Sequence, residues 1–350
     1  MICAILGLGR VGSLFEKDTL REKPASHAGA IDIFRHAKLS YGCDKDVVRC
    51  QEFAKDWKAL TFVDAKKMLQ NPIDCLVIAT PTDKHCQHFL LALKKNIPIV
   101  ILEKPIARNW DDISKMRREF MHSKTAVIVN HERRFAKNYQ DLKKAIEEKR
   151  WGDLLSVYGW VSGAIKQNPL DVLYHDGTHL VDVVRFLLAT HDGDNPALKV
   201  KHVDLLKNDF LNTLKISSLV LTKKNPSSNK SSSVSSSRSS KGEIPFFFDI
   251  SCGKNYLQFE LHLHFSRGLV RIGNGLYEEY NSEKSPYYKD FFSLSCIKRR
   301  SNQKTHCFSN MIKHAHDLFT GKVKESLSSF DDGYAVVQFF RDVERKIVNN

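Results

Sequence analysis

Short, nearly continuous apolar runs recur through the first third of the chain: Ile2–Leu6, Lys38–Gly42, Ala59–Phe62, Cys75–Ala79, Ile97–Leu102 and Ala126–Val129. Helically spaced polar stretches separate them. Strands covered on both faces read as unbroken Val/Ile/Leu runs, and strands alternating with helices form βαβ units. The pattern therefore predicts an α/β domain with a doubly wound parallel sheet over residues 1–132. Beyond about residue 150 the runs become longer and alternate, as in Leu154–Val161 and Tyr256–Phe265. In the second of these, Phe259, Leu261, Leu263 and Phe265 share one face, and Glu260, His262 and His264 share the other. That alternation predicts an antiparallel sheet with one covered face in the second part of the chain. Asp331–Val348 places Val336, Phe339, Phe340, Val343 and Ile347 on one side of a final helix, which must pack on something. The serine-rich stretch at 225–242 has too little apolar surface to offset the cost of ordering and reads as a flexible loop.

At roughly 150 residues per domain, 350 residues accommodate two domains. With 42% hydrophobic and 27% charged residues, the composition is that of a soluble globular protein and excludes wholesale disorder. No apolar run approaches the roughly 18 residues of a membrane helix, and the apolar start meets Gly7 too soon for a signal peptide, so a cytoplasmic location is expected. Eight cysteines without a C-x-x-C pair argue against a zinc ribbon or a redox dithiol. The balance of 54 Lys and Arg against 40 Asp and Glu gives +14, which attracts polyanions. No motif for specific nucleic-acid binding accompanies that charge.

Chemistry enters at Gly7-Leu8-Gly9-Arg10-Val11-Gly12, a G-x-G-x-x-G directly after the first apolar run. The first glycine permits a tight turn, the second lets backbone approach a pyrophosphate, and the third allows close helix–strand packing at a helix N-terminus. An acidic residue about 20 positions on should hold the adenine ribose. The candidate is Asp44, 32 residues past Gly12, so Lys23–Gly29 reads as an insertion after the first helix. An Asp there favours NAD, because it would repel a 2′-phosphate; Lys45 beside it leaves NADP open. Ligands of open α/β sheets bind at the carboxyl ends of the strands, where Thr80-Pro81-Thr82, Glu103-Lys104-Pro105 and Asn130-His131 lie.

His175, His179 and Asp182 fall at i, i+4 and i+7, on one stripe if the segment is helical throughout. Three readings apply: a metal site, which lacks a recognisable third ligand; histidines that satisfy hydrogen bonds at a domain interface; or general acid–base work, since imidazole titrates near neutrality. His262-x-His264 reads as a sheet face or subunit contact before it reads as a metal pair.

Taken in order, GLGRVG, IDCLVIATPTDKH, EKPIA at 103–107, NHERRF at 130–135 and DGTHLVD at 176–182 resemble the Gfo/Idh/MocA oxidoreductases, the relatives of glucose-fructose oxidoreductase and inositol dehydrogenase. The resemblance implies a Rossmann domain over 1–132, an α+β domain over 133–350 with an open, mainly antiparallel sheet whose outer face commonly mediates homodimers or homotetramers, and a final helix that packs back on the first domain. It also implies an NAD(P)-dependent dehydrogenase acting on a secondary alcohol of a sugar, cyclitol or nucleotide sugar. On the matching positions, Lys104 would contact the substrate hydroxyl and nicotinamide ribose, and His179 would be the acid/base. Thr80, Pro81 and His85 would line the cofactor cleft, with Glu103 beside the nicotinamide ribose. The family commonly has an Asp four residues before the histidine. Here His175 stands in that place and Asp176 follows it, so either Asp176 turns inward or His175 replaces the relay. Arg133 or Arg134 would meet a carboxylate or phosphate on the substrate, or else brace the joint between domains. A non-catalytic nicotinamide-binding sensor or scaffold of the same fold is the alternative.

Overall fold

The computed structural model describes residues 1–163, 168–189, 195–207, 212–223, 241–301 and 304–348. The serine-rich stretch expected to be a loop lies outside the described residues, apart from its last two positions. Two compact units result, Met1–Gln140 with Lys304–Val337 and Asp141–Gln303 with Gln338–Asn350. The first crossing falls eight residues later than the change of texture placed it, and the return to the first unit begins well before the final helix. The helices are α1 (His27–Asp32), α2 (Val47–Trp57), α3 (Ala65–Met68), α4 (His85–Lys94), α5 (Trp110–Phe120), α6 (Lys137–Glu147), α7 (Pro169–Val172), α8 (Thr178–Leu187), α9 (Cys307–Phe319) and α10 (Phe330–Val348).

In the first unit, β1 (Ile2–Leu6), β2 (Lys38–Cys43), β3 (Leu60–Phe62), β4 (Cys75–Ile78), β5 (Ile99–Leu102) and β6 (Ala126–Val129) form a sheet in the order β3-β2-β1-β4-β5-β6. Every pairing is parallel. The apolar runs supply both faces. Leu6, Leu76, Ile78, Val100 and Leu102 join Phe89, Met116 and Phe330 in one core. Ile5, Val77, Ile99, Ile101 and Ile128 join Phe53, Met311 and Ile312 in another. Successive residues of one strand thus enter opposite cores, which is why these strands carry no polar alternation.

In the second unit, β7 (Leu154–Ser162), β8 (Ala197–Lys207), β9 (Asn212–Lys223), β10 (Lys241–Cys252), β11 (Gln258–Phe265), β12 (Gly268–Gly273), β13 (Leu276–Lys284) and β14 (Phe292–Ser301) form a sheet in the order β14-β13-β12-β11-β7-β10-β9-β8. It is antiparallel except where β7 pairs with β10. Phe259, Leu261, Leu263 and Phe265 are buried, and Glu260, His262 and His264 are half-buried, as their alternation predicts. The amphipathic final helix serves both units with different residues. Phe330 stacks on Phe89 at 5.4 Å and Tyr334 meets Trp110 at 5.7 Å in the first. Phe339 meets Phe248 at 5.7 Å and Phe340 meets Tyr174 at 5.0 Å in the second.

The insertion near the glycine loop sits elsewhere than the sequence implied. After Gly12 the chain makes one turn, with the Ser13 N–H donating to the Gly9 carbonyl (2.9 Å) and the Phe15 N–H to that of Arg10 (2.8 Å). The next two carbonyls, of Val11 and Gly12, accept instead from the N–H groups of His27 and Ala28, both at 3.0 Å. In an unbroken α-helix those donors would be residues 15 and 16. Twelve residues are therefore spliced into the first turn, and the helix resumes in register as α1. Without them Asp44 stands 20 residues beyond Gly12, the separation a dinucleotide site requires. His27, Ala28 and Gly29 are buried parts of the resumed helix and do not belong to an insertion that follows it.

The spliced segment is closed by its own polar groups. The Glu16 carboxylate accepts from the Ala25 N–H at 2.9 Å and the Ser26 hydroxyl at 2.8 Å. Ser26 in turn caps α1 by accepting from the Gly29 N–H. The Trp57 indole donates to Ser13, and Glu22 accepts from the N–H groups of Thr305 and His306 at the start of α9. A Cβ on Gly29 would lie 2.2 Å from Glu16 Oε2. Glu16 is tethered and cannot retreat, so the overlap should outweigh the roughly 1 kcal/mol by which Ala favours a helix over Gly. Gly29→Ala is expected to lose about 1–3 kcal/mol in urea unfolding. In a Glu16→Ala background the same change should be neutral or stabilising.

Candidate active site

At the glycine loop, Gly7 has φ +92°, and a Cβ there would lie 2.4 Å from the Ala79 carbonyl oxygen. On Gly12 a Cβ would lie 2.1 Å from the Gly7 carbonyl oxygen. Both glycines answer to the protein's own backbone. Gly9 does not: among the described residues only the Arg49 guanidinium comes within 4.0 Å of a Cβ placed there. The middle glycine leaves open backbone where a pyrophosphate has to approach, so the donor set fits a dinucleotide. Arg10 and Val11 carry the loop round to Gly12. Asp44 directly follows β2 with its carboxylate pinned, Oδ2 accepting from the Leu8 N–H at 2.8 Å and Oδ1 from the Asp46 N–H at 3.0 Å. Asp44 thus braces the glycine loop.

In the turn after β4, Thr80 bonds to His88 through its hydroxyl (3.1 Å), while Pro81 is exposed. His85 is only 1% exposed and lies between two carbonyls, those of Thr80 and Pro105, each 2.9 Å from a ring nitrogen. Burial holds its pKa below the ordinary histidine value despite those contacts. His85 is therefore enclosed where it links the β4 and β5 turns, with too little exposed surface to line a cofactor cleft as expected. The Lys104–Pro105 bond is cis, and Lys104 is half-buried.

Glu103 is the centre of a buried network that sequence reading did not find. Its Oε1 accepts from His27 Nε2 at 2.7 Å and from Asn130 Nδ2 at 2.6 Å. Burial by itself would raise the Glu103 pKa, but the hydrogen bonds and positive fields of His27, Asn130 and Lys104 overcome it and leave the value lowered. His27 is fully buried, its ring edge-on to Phe308 at 5.3 Å. The signal that could have exposed it was a histidine opening an apolar helix, masked by the splice.

The two arginines separate. Arg134 is 2% exposed, paired with Asp332 Oδ1 at 3.0 Å and donating to the Leu327 carbonyl at 2.9 Å. Its guanidinium is enclosed within the first unit, so the substrate role is withdrawn for it. Arg133 contacts Glu132 at 3.2 Å with 12% of its side chain exposed.

In the second unit the histidine segment is not α-helical throughout. Leu173–Gly177 forms a π turn before α8 begins at Thr178. The wider turn removes His175 from the stripe: its side chain is 64% exposed and pairs with Asp176 at 3.0 Å. His179 and Asp182 are buried. Among the described residues no group of three metal-ligating side chains occurs.

A parallel sheet, a glycine loop with one open glycine and an acidic residue closing β2 define a Rossmann-type dinucleotide domain. Residues 1–131 match the profile described as "Oxidoreductase family, NAD-binding Rossmann fold" (GFO_IDH_MocA). Over that stretch, somewhat more than a third of the chain, the protein is similar to the Gfo/Idh/MocA family. It is 27% identical over 198 residues to an inositol 2-dehydrogenase of Rhizobium meliloti, covering 53% of this chain and 54% of that protein. It is 26% identical over 224 residues to a scyllo-inositol 2-dehydrogenase (NAD(+)) of Bacillus subtilis, covering 60% and 59%. The chain thus spans somewhat more than half the length of these relatives. The fold extends further, since the crystal structure of a putative myo-inositol dehydrogenase from Sinorhizobium meliloti superposes with a TM-score of 0.70 at 17% identity over 100% of this chain and 98% of that one.

Two outcomes test these environments. Removing one member of a buried ion pair strands the other charge, so Arg134→Ala should cost about 3–5 kcal/mol in urea unfolding; Arg133→Ala should cost clearly less. Because the folded pKa of Glu103 lies below the ordinary value of 4.5, its contribution to stability is present above that value and lost as pH falls through the folded pKa. Glu103→Gln should therefore be less stable than the parent at neutral pH, and the gap in urea midpoints should close below about pH 4.5. A gap that stays constant with pH would assign the effect to packing.

Proposed function

We propose that this protein is an NAD(P)-dependent oxidoreductase that moves a hydride between nicotinamide and a secondary alcohol or ketone of a sugar, cyclitol or nucleotide sugar. The observation that carries the reading is the open Gly9 beside the pinned Asp44, at the head of a family-matched Rossmann domain whose β5 ends in Glu103-Lys104-Pro105. The similarity to enzymes named inositol dehydrogenases supports a polyhydroxylated substrate. NAD is the cofactor inferred from Asp44, with NADP as the alternative.

When bound, the nicotinamide supplies the hydride acceptor. Lys104 contributes a positive charge that stabilises the developing alkoxide, and His179 takes the hydroxyl proton as the C–H electron pair departs. Asp176, with His175 hydrogen-bonded to it, is the group available to orient that histidine. Arg133 is retained as a contact for an anionic substituent.

The outer face of the second sheet is proposed to meet a second copy of the chain, in a homodimer or homotetramer. Tyr158 and Phe247, each 36% exposed, stack at 5.0 Å there, and Trp160 meets His262 at 4.6 Å. For location, no helix among the described residues is long and apolar enough to cross a membrane.

The test is fluorescence titration with NADH and NADPH, followed by an absorbance screen of cyclitols, free sugars and nucleotide sugars. Turnover is expected with at least one polyol, and His179→Asn should lower it by about 10²–10⁴-fold. Binding of nicotinamide without turnover across the panel would favour the sensor or scaffold reading; no binding of either cofactor would reject both. Light scattering on the eluted protein should give a dimer or larger mass, reduced by Tyr158→Arg.

A further inference from the structure

Arg49 is a residue that neither the glycine motif nor the ribose acid points to. It is the third residue of α2, and its side chain turns back over the rim between the glycine loop and Asp44. NH1 lies 3.7 Å from Asp44 Oδ2, Nε lies 3.4 Å from Asp46 Oδ2, and NH1 is 4.0 Å from the position of a Cβ on Gly9. Three features of the ribose position are therefore spanned by one guanidinium.

Both ion contacts are long for charge-assisted hydrogen bonds, which run about 2.7–2.9 Å. The Arg49 side chain is 46% exposed, and exposed pairs of this kind contribute little. Little holds the guanidinium to the two aspartates. Asp44, by contrast, is 13% exposed and anchored by two backbone N–H groups, so it does not follow Arg49 when the arginine moves. Lys45 and Arg10 are exposed beside it and keep the rim positive.

A ribose held by Asp44 presents its 2′ oxygen to that rim, next to Arg49. A forked guanidinium matches the geometry of a phosphate there, and its charge offsets the repulsion from Asp44. We propose that Arg49 is the specificity residue that admits a 2′-phosphorylated adenine dinucleotide, so that the site takes NADP as well as NAD. The inference rests on the dinucleotide reading above. It assigns the role to Arg49, although Lys45 is the nearer residue in sequence to Asp44.

Calorimetric titration with adenosine 5′-phosphate and adenosine 2′,5′-bisphosphate isolates the added phosphate without any turnover, and NADH and NADPH fluorescence repeats the comparison on whole cofactors. The wild-type protein is expected to bind the two members of each pair within about tenfold of one another, and Arg49→Ala to weaken the 2′-phosphorylated member about 10- to 100-fold more than its partner. Arg49→Lys should recover part of that loss, because it restores the charge without the fork. Equal weakening of both members would overturn the proposal and place Arg49 on the pyrophosphate. An unchanged preference in Arg49→Ala would overturn it in favour of a helix-terminal ion pair. If NADH binds and NADPH does not, the proposal fails and the dinucleotide reading stands; if neither cofactor nor probe binds, both fall together.

Discussion

Two backbone carbonyls, those of Val11 and Gly12, constrain the arrangement of the whole cofactor half. They sit at the first turn after β1, beside the position where phosphate would lie, and a buried carbonyl without a donor costs free energy comparable to a lost hydrogen bond. The chain leaves the helix at this turn and must return donors to the same two acceptors. It does so with the N–H groups of His27 and Ala28, and the return fixes the register of α1 to the residue. A segment that came back one position early or late would rotate the helix by about 100° and take His27 away from Glu103. The closure by Glu16, Ser26 and Lys23 is best understood as the device that holds this register, since each bond ties one end of the spliced segment to the other.

The register matters because Glu103 is buried. A carboxylate taken out of water is strongly disfavoured unless donors replace the lost hydration. Here one oxygen receives two donors, one from α1 and one from the end of β6, and Lys104 adds a charge. Glu103 can then stay ionised beside the cis turn that presents Lys104. His85 performs a related task with backbone acceptors, tying the turn after β4 to the turn after β5. The strand ends at which a ligand would bind are therefore held by buried polar groups.

The parts of the structure visible in the sequence are those governed by local period. The six parallel strands appear as apolar runs because each side chain enters one of two cores, and β11 alternates because only one of its faces is covered. The glycine loop was legible because its three glycines answer to local backbone and to a ligand. The rest depended on partners remote in sequence. His27 and Glu103 are 76 positions apart, and Arg134 takes its carboxylate from Asp332 at the far end of the chain. Nothing near Arg134 distinguishes it from Arg133, yet one is fully enclosed and the other keeps a small exposed part. The π turn at Leu173–Gly177 was hidden for a different reason: a single extra residue per turn leaves no trace in spacing, but it separates His175 from His179.

These differences bear on the net charge of +14, which on its own identified no partner. Several cations are committed to structure: Arg134 to Asp332, Arg271 to Glu260 and Glu278, Lys298 to Glu279, and Lys23 to the carbonyls of its own loop. Around the glycine loop the commitments are weaker. Arg49 is held by long contacts and Arg10 and Lys45 are exposed, while the nearest acid, Asp44, has turned its oxygens toward backbone N–H groups. An excess of unspent positive charge there raises the local concentration of a polyanionic ligand and its rate of arrival. Selectivity within that class is left to the few side chains able to change partners, and at this rim Arg49 is held only by long contacts.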